Sequence, residues 1–468
     1  MSGRRSGALD IVMPRLSRAA DHSLIWFAIA AGLGAFGGRV ERRAALRGVI
    51  AIAGASAISS GILKRLLPRR RPSAEAFPFV GLRRRPVSSS MPSGHAASAA
   101  AFAAATTIEV PALAAPVGAL AAAVAYSRVY NGVHYPGDVL FGSAIGLGVA
   151  AATTKVWPRV DHSAASARPV PPRLVRVVGK PSADGAGLTV VVNPRAHSGR
   201  GKEQSDELVE ALPAAKIVEL DDPADMERAL HEAAADALAI GVIGGDGSIN
   251  TAVGVALEHR RPLLVVPGGT LNHFARDLGL DSVDDSARAV KSGQLVAVDV
   301  GCIDGRAFVN TASFGSYSKL VEAREKLEDS IGKWAALGVA LTRVLREYEP
   351  FEVTIDGRAC RVWMIFIGNC TYEPSGFAPS TRTRLDDGLF DVRVVDGSEP
   401  WARVRLIVAA LTGNLVRSKV YSRRLLPALD VHITEGDHML AADGEVFAGH
   451  LDFTVEKHPE PLLVYVPE

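Results

Sequence analysis

Ala239-Ile240-Gly241-Val242-Ile243-Gly244-Gly245-Asp246-Gly247-Ser248-Ile249-Asn250 is an apolar run that stops in a glycine-rich turn. A short apolar run bounded by glycine reads as a buried strand, and the turn as the start of a helix. Backbone N–H groups at such a start favour an anion, phosphate above all. Asp246 stands among those amides, which makes chemical sense only beside a metal or an acceptor hydroxyl. Two further segments repeat the pattern. Leu188–Val192 is β-branched and runs into Asn193-Pro194, then Ser198-Gly199-Arg200-Gly201, while residues 263–266 enter Pro267-Gly268-Gly269-Thr270-Leu271-Asn272. Three such turns on adjacent parallel strands would line a nucleotide site along the carboxyl edge of a sheet.

Downstream, residues 296–311, 351–369, 388–395 and 430–466 are strand-like, with Asp356-Gly357 and Asp396-Gly397 as turns. They predict a β-sandwich as a second lobe. Residues 319–347 are amphipathic and predict a helix.

The run Pro267-Gly268-Gly269-Thr270-Leu271-Asn272-His273-Phe274-Ala275-Arg276-Asp277-Leu278-Gly279 resembles the diacylglycerol kinase catalytic family, which includes bacterial lipid kinases and sphingosine kinases. So do Asn310 with Ser313-Phe314-Gly315, Leu385-Asp386-Asp387-Gly388-Leu389 with Asp391, and Asp443-Gly444-Glu445. The likeness spans residues 188–468. It implies ATP contacts at Asn193, Gly244, Gly245, Asp246, Gly247, Ser248, Asn250, Gly269 and Thr270. It implies Glu445 as the base for a lipid hydroxyl, with Asp443 as its neighbour and fallback. Asp387, with backbone oxygens near Arg384 and Leu389, resembles the family's structural Mg²⁺ site, and helix 319–347 would lie over the lipid entrance. One departure stands out: His273 occupies the place of the family's usual Asp, and Asp277 is too far along the next helix to replace it.

The other half of the chain has a different character. Residues 1–180 hold 23 Lys+Arg against 7 Asp+Glu, and residues 181–468 hold 29 against 43. That split suits a basic membrane-associated half joined to an acidic soluble one, with lipids rather than nucleic acid as partners. Apolar runs at 24–38, 48–63, 96–108, 110–126 and 139–154 are bounded by charge or proline, and are expected to insert in a bilayer. Gly142, Gly146 and Gly148 would let helices approach closely there. No cleavable signal is expected, because the run from Leu24 lacks a small-residue cleavage site and leads into further spans. Residues 155–187, with five prolines, read as an extended tether. Cys302, Cys360 and Cys370 give no disulfide framework and suit a reducing compartment.

Within this half, Lys64 is followed after six residues by Arg71-Pro72, then by Pro92-Ser93-Gly94-His95, then by Ser127-Arg128 with His134 and Asp138. Lys64, Arg71 and Arg128 can surround a phosphoryl group, with Arg forks matching its oxygens. Of two histidines, one can attack phosphorus while the other protonates the leaving oxygen. Asp138, one helical turn from His134, can orient its imidazole. The three motifs resemble the type 2 phosphatidic acid phosphatase superfamily. The resemblance implies His134 as nucleophile, Asp138 as orienter and His95 as general acid, with Lys64, Arg71, Ser93, Gly94 and Arg128 cradling phosphate and no metal cofactor. The same pocket binds vanadate in related haloperoxidases.

The sequence thus predicts a mixed fold: an all-α membrane bundle (1–155), a Pro-rich linker (156–187), a nucleotide-binding α/β lobe (188–295) and a lipid-binding β-sandwich lobe (296–468). The expected activity is a membrane lipid phosphate phosphatase fused to an ATP- and Mg²⁺-dependent lipid kinase. Two alternatives are a kinase whose N-terminal half only anchors it, and a soluble-metabolite kinase of the NAD kinase type. A multi-pass plasma-membrane location is expected, with the kinase facing the cytoplasmic ATP pool. Only the run 139–154 separates it from His134, and two runs separate Lys64 and Arg71 from that loop, so the phosphatase site is expected outside. The eight Lys+Arg of residues 64–94 argue the other way.

Overall fold

The computed structural model describes residues 7–73, 88–159, 163–173, 175, 179–193, 196, 201–315, 349–375, 379, 381–411, 414–434 and 439–467. The expected helix 319–347, residues 74–87 and most of the turn after Asn193 lie outside that set. The chain divides into two compact units, Met1–Arg159 and Val160–Glu468.

Unit one is helical: α1 (Gly7–Ala19), α2 (Leu24–Phe36), α3 (Arg39–Ser56), α4 (Gly94–Glu109), α5 (Ala114–Tyr130) and α6 (Pro136–Val156). Helix α3 runs on through a π-helical stretch, Ala57–Leu63, into Lys64–Leu66. Such wide turns rotate the residues beyond them about the helix axis and recur at functional sites. Helix α4 is the hub, packed by α3, α5 and α6. Alanines 51, 55, 97, 101, 105 and 150 form one seam, and Trp26 meets Phe102 at 5.4 Å in another. The small-residue expectation holds for two of three glycines. A Cβ on Gly142 would come within 2.4 Å of the Ser93 carbonyl oxygen, and one on Gly146 within 2.2 Å of that of Ala97, whereas Gly148 faces open space. Arg43 and Arg47 clamp the buried Glu109 at the far end of α4, Arg47 at 2.6 Å.

All five apolar runs fall on helices. Among the described residues, three helices are long and apolar enough to cross a membrane (Val40–Leu66, Pro111–Tyr130 and Pro136–Lys155), or four if the pair Leu9–Ala19 and Asp21–Phe36, bent by 61°, makes one span. Helix α4 has 16 residues, about 24 Å of rise against a hydrocarbon core of roughly 30 Å.

Unit two begins where the tether was expected. Strand β1 (Arg168–Pro169) pairs with β6 (Leu295–Val298), Val170 is buried, and the Ala165 amide donates to the Asp277 carbonyl at 2.7 Å. Residues 165–170 are therefore part of the fold rather than a free tether. Between them in sequence come β2 (Leu188–Val192), α7 (Gly201–Ala211), β3 (Lys216–Glu219), α8 (Met226–Asp236), β4 (Ala239–Gly244), α9 (Asp246–Glu258), β5 (Leu263–Pro267), α10 (His273–Asp277) and α11 (Val283–Ser292). Every residue of β2, β4 and β5 is buried, as parallel strands covered on both faces require. Helix α7 packs with α11, and α8 with α9. The second lobe is antiparallel: β7 (Gly301–Ile303), β8 (Arg306–Phe308), β9 (Thr311–Gly315), β10 (Phe351–Ile355), β11 (Arg358–Asn369), β12 (Tyr372–Glu373), β13 (Thr381–Arg382), β14 (Phe390–Asp396), α12 (Ala402–Leu411), β15 (Tyr421–Leu426), β16 (Leu429–Ile433), β17 (Met439–Ala442), β18 (Glu445–Ala448) and β19 (Asp452–Lys457).

All of these strands except β12 and β13, which pair with each other, join one antiparallel sheet that curves into a half-barrel. Strands β10 and β9 share one edge of β11, β14 takes the other, and the register shifts between Val362 and Met364. Such a bulge bends the strand and lets the sheet close on a single core. The last strand, β20 (Leu462–Tyr465), departs from the expected boundary. It returns to the first lobe between β5 and β6, giving the order β1-β6-β20-β5-β4-β2-β3.

Candidate active sites

In unit one the three motifs converge. The Arg71 Nη1 donates to the Val133 carbonyl at 2.8 Å and lies 3.3 Å from His134 Nε2. His134 Nδ1 sits 2.6 Å from the Ser90 carbonyl oxygen. That carbonyl can only accept, so Nδ1 carries the proton and Nε2 offers its lone pair to the pocket. Burial, and after it the positive charges of Arg71 and Arg128, push His134 down to about 3 and keep it neutral. Gly94 opens α4 at the pocket floor, where a Cβ would sit 3.8 Å from Lys64 Nζ. Among the described residues, Ser93 Oγ and Arg128 Nε are buried without a hydrogen-bond partner. Buried groups of that kind call for a ligand, and both suit phosphate oxygens.

Asp138 does not orient His134 directly. Its Oδ2 is 3.8 Å from His134 Nδ1, too far for a hydrogen bond. It accepts instead from Ser90 Oγ at 2.5 Å, the Tyr135 amide at 2.9 Å and Arg69 Nη1 at 2.9 Å. The carboxylate fixes Ser90, and the Ser90 carbonyl fixes the imidazole. His95 Nε2 meets Asp21 Oδ1 at 2.8 Å, and Arg128 Nη1 donates to Ser17 Oγ. Burial and Arg128 push His95 down to about 4, against the opposing pull of Asp21.

In unit two the glycine turns meet as expected. A cleft of about 440 Å³ is lined by Asn193, Gly245, Gly247, Ser248, Gly269 and Glu445, and also by Ala196, Pro223, Met226, Thr251 and Gly268. Asn193 Nδ2 donates to Ser248 Oγ at 2.7 Å. The two turns touch backbone to backbone: a Cβ on Gly269 would lie 2.6 Å from the Cα of Gly245, a distance no side chain tolerates. Asp246 Oδ1 accepts from the His273 amide at 2.8 Å, so the family's replaced position still joins the two turns, through its backbone. Burial raises Asp246 above the usual carboxylate range, with the His273 amide opposing.

The Asp443-Gly444-Glu445 turn divides into an anchor and a reactive end. Asp443 accepts from the amides of Val309 at 2.7 Å, Asn310 at 2.8 Å and Thr311 at 2.9 Å, and burial pushes it up to about 6. Glu445 is exposed in the cleft, its Oε1 placed 3.2 Å from where a Gly247 Cβ would be. The geometry therefore favours Glu445 over Asp443 as base. Asn250 lies off the cleft: its amide donates to the Ala307 carbonyl at 3.2 Å and to Asp443 Oδ2 at 3.1 Å. Thr270 is exposed and also outside the lining.

Three family models match the chain: the diacylglycerol kinase catalytic domain over residues 187–303, the YegS C-terminal NAD kinase beta sandwich-like domain over 315–466, and the PAP2 superfamily over 44–161. The chain is 32% identical to a diacylglycerol kinase of Bacillus subtilis (strain 168) over 213 residues, which covers 43% of this chain and 69% of that protein. The chain belongs to the diacylglycerol kinase family. It is also 29% identical to a diacylglycerol kinase of Staphylococcus carnosus (strain TM300), over 52% of this chain and 80% of that one. Among solved structures it matches a transmembrane PAP2 type phosphatidylglycerolphosphate phosphatase from Bacillus subtilis, at 26% identity and a TM-score of 0.26, covering 31% of this chain and 75% of that one. This diacylglycerol kinase family member thus carries a PAP2 domain as well.

The expected metal turn of the kinase half gains a second carboxylate. Asp387 Oδ2 accepts from the Thr371 amide at 2.9 Å and Thr371 Oγ1 at 2.7 Å, and Oδ1 from the Leu389 amide at 3.0 Å. Asp299 accepts from the Gly388 amide at 2.8 Å, and its carboxylate, the Cys370 thiol and Asp387 lie within 4.8 Å of one another. Two carboxylates suit a hard cation; burial holds the thiol protonated, up to about 12, so it adds nothing. Arg384 points its guanidinium at Asp386, at 3.0 Å, leaving only its backbone for the turn. Asp277, too distant for the ATP site, pairs at 2.7 Å with the buried Arg382, whose Nη2 reaches Asn310 Oδ1 at 3.0 Å. That network ties α10 to the second lobe. Sequence reading missed Asp299, Ser90, Asp21 and Thr251, because none sits in a motif.

Proposed function

We propose that the chain is a bifunctional membrane lipid enzyme: a metal-independent phosphatase of a lipid phosphate (phosphatidate or a polyprenyl phosphate) joined to an ATP-dependent kinase of diacylglycerol or a related lipid. The observation that carries it is the pinned His134, its unprotonated Nε2 facing Arg71 Nη1 at 3.3 Å, with the unpartnered Ser93 Oγ and Arg128 Nε in the same pocket. An intact nucleophile in an anion-ready pocket argues against a mere anchor.

In unit one, His134 Nε2 attacks phosphorus. An N–P bond forms as the lipid O–P bond breaks, and His95 gives its proton to the leaving oxygen. Water, deprotonated by His95, then cleaves the N–P bond and releases inorganic phosphate. A bound phosphate dianion offsets the cationic surroundings that keep both imidazoles neutral when it is absent. In unit two, the amides of Gly245 and Gly269 hold ATP phosphates. Glu445 accepts the lipid hydroxyl proton as that oxygen attacks the γ-phosphorus and ADP leaves. Asp387 and Asp299 would hold Mg²⁺, which supplies fixed positive charge and rigidity to the turn between the lobes.

The kinase unit takes ATP from the cytoplasm. Only α6 separates it in sequence from His134, which supports an extracytoplasmic phosphatase site. A cysteine replacing the exposed Arg70, in a background with the native cysteines changed to serine, should react with an impermeant thiol reagent on intact cells; reaction only after lysis puts both sites inside. For the activity itself, the full chain is incubated with γ-labelled ATP and a total lipid extract. Labelled lipid supports the reading, and labelled nucleotide in its place would favour a soluble-metabolite kinase.

A further inference from the structure

Residues 401–424 carry six Lys+Arg and no Asp or Glu, within a half of the chain whose net charge is −14. Helix α12 opens this stretch and buries Ala402, Leu406 and Ala409 against Trp363, Val395 and Tyr421. Its other face should be polar if it met only water. Instead Trp401 (79% exposed), Val404 (51%) and Val408 (53%) share that face at spacings of three and four, and Val416 (59%) comes soon after. Arg417 and Lys419 are exposed beside them, while Arg403 pairs with Glu349, Arg405 with Glu399 and Arg423 with Asp391, and Arg424 lies 3.9 Å from Asp356. Elsewhere in this unit exposed large apolar side chains are scattered; here four fall within 16 residues.

We propose that α12 and the short turn Leu415–Arg417 are the surface on which the kinase unit rests against an anionic lipid bilayer, an inference that builds on the lipid-kinase reading. The combination selects the partner. Valines and a tryptophan on one face of a basic helix suit the headgroup boundary, where tryptophan is favoured and apolar side chains leave water. The surrounding cations suit anionic headgroups. A second copy of the same patch would set the exposed Arg417 and Lys419 against their own copies, which disfavours self-association through it. Docking here holds the kinase cleft at the surface where its substrate resides and raises the substrate's effective concentration.

The test uses the full chain in phosphatidylcholine nanodiscs, with and without phosphatidylglycerol, doped with a phospholipid that carries a photoactivatable diazirine near its headgroup. After photolysis, adducts in unit two are expected on peptides covering 399–417. They should fall at least about fivefold without phosphatidylglycerol or at high salt. The variant Trp401→Glu/Val404→Glu should lose those adducts and raise the KM for bilayer lipid about tenfold, with the KM for ATP and the phosphatase rate unchanged; Trp401→Phe should keep both properties. Absence of wild-type adducts on this segment, adducts indifferent to lipid charge, or an unchanged KM in the double variant would each overturn the proposal. If that variant does not fold, the wild-type adduct map and its dependence on lipid charge decide alone. If the chain phosphorylates no lipid, the kinase reading falls while the map still decides the docking surface.

Discussion

On the proposed reading, the two pockets bind the same chemical group by opposite means. Unit one meets it with side chains: Lys64, Arg71 and Arg128 supply charge, and two imidazoles supply the chemistry. Unit two meets it with backbone amides of touching glycine turns, and the carboxylates Asp246, Glu445, Asp299 and Asp387 stand at the cleft and the metal turn, with Lys457 3.4 Å from Asp299. The surfaces differ in parallel. Unit one exposes Leu24, Phe36, Leu66 and Leu140 at 61 to 93%, as a lipid-facing bundle would. Outside residues 401–416, the described residues of unit two expose large apolar side chains only at scattered positions and at no more than 50%. A pocket that must work on its own charges has to be cationic and dry. A pocket that shares its substrate with Mg²⁺ must instead be acidic, with neutral donors for the phosphates.

The sharpest way to break this contrast is to remove one nucleophile or one base. His134→Ala should lower phosphatase turnover by several orders of magnitude, and Glu445→Ala should do the same to the kinase alone; assays of both reactions on each variant check it. Loss of both activities in either variant would mean the units are coupled. Next in size is Asp138→Asn, which disturbs Ser90 and Arg69 but touches neither His134 nor substrate. A fall of roughly a hundredfold in phosphatase kcat with KM little changed is expected, from misplacement of the imidazole. Excess chelator should abolish kinase turnover and spare the phosphatase, and a phosphatase equally sensitive would refute the cationic-pocket account. The smallest effect is that of Asp21→Asn. Asp21 raises the His95 pKa, so its loss lowers it, less of the general acid is protonated at a given pH, and the phosphatase pH profile should move toward acid, at about tenfold in rate per unit on its falling limb. An unmoved profile would leave Asp21 a purely structural partner.

Much of this was legible in the sequence because motifs encode it locally. Each strand-to-glycine turn announces its own geometry, and the three phosphate motifs of unit one carry the reactive groups themselves. What escaped reading depends on tertiary meeting. The partner of His134 Nδ1 is a backbone carbonyl, Ser90, which no residue type reveals, and Asp138 acts through it. Asp21 comes from a helix break before the PAP2 region. Asp299 lies 88 positions ahead of Asp387 and reaches it only through the half-barrel. The Pro-rich tether misled because proline at an edge strand is as acceptable as proline in a linker, and Arg168–Pro169 is such an edge.

The central claim is that one chain holds two independent phosphoryl-transfer sites, the first of them working through a histidine. Brief incubation with a ³²P-labelled lipid phosphate, then quenching in alkali and peptide mapping, tests it most directly. The account predicts an acid-labile, alkali-stable label on the peptide that contains His134, present equally in wild type and Glu445→Ala and absent from His134→Ala. A label that maps elsewhere, or one that disappears with Glu445, would contradict it.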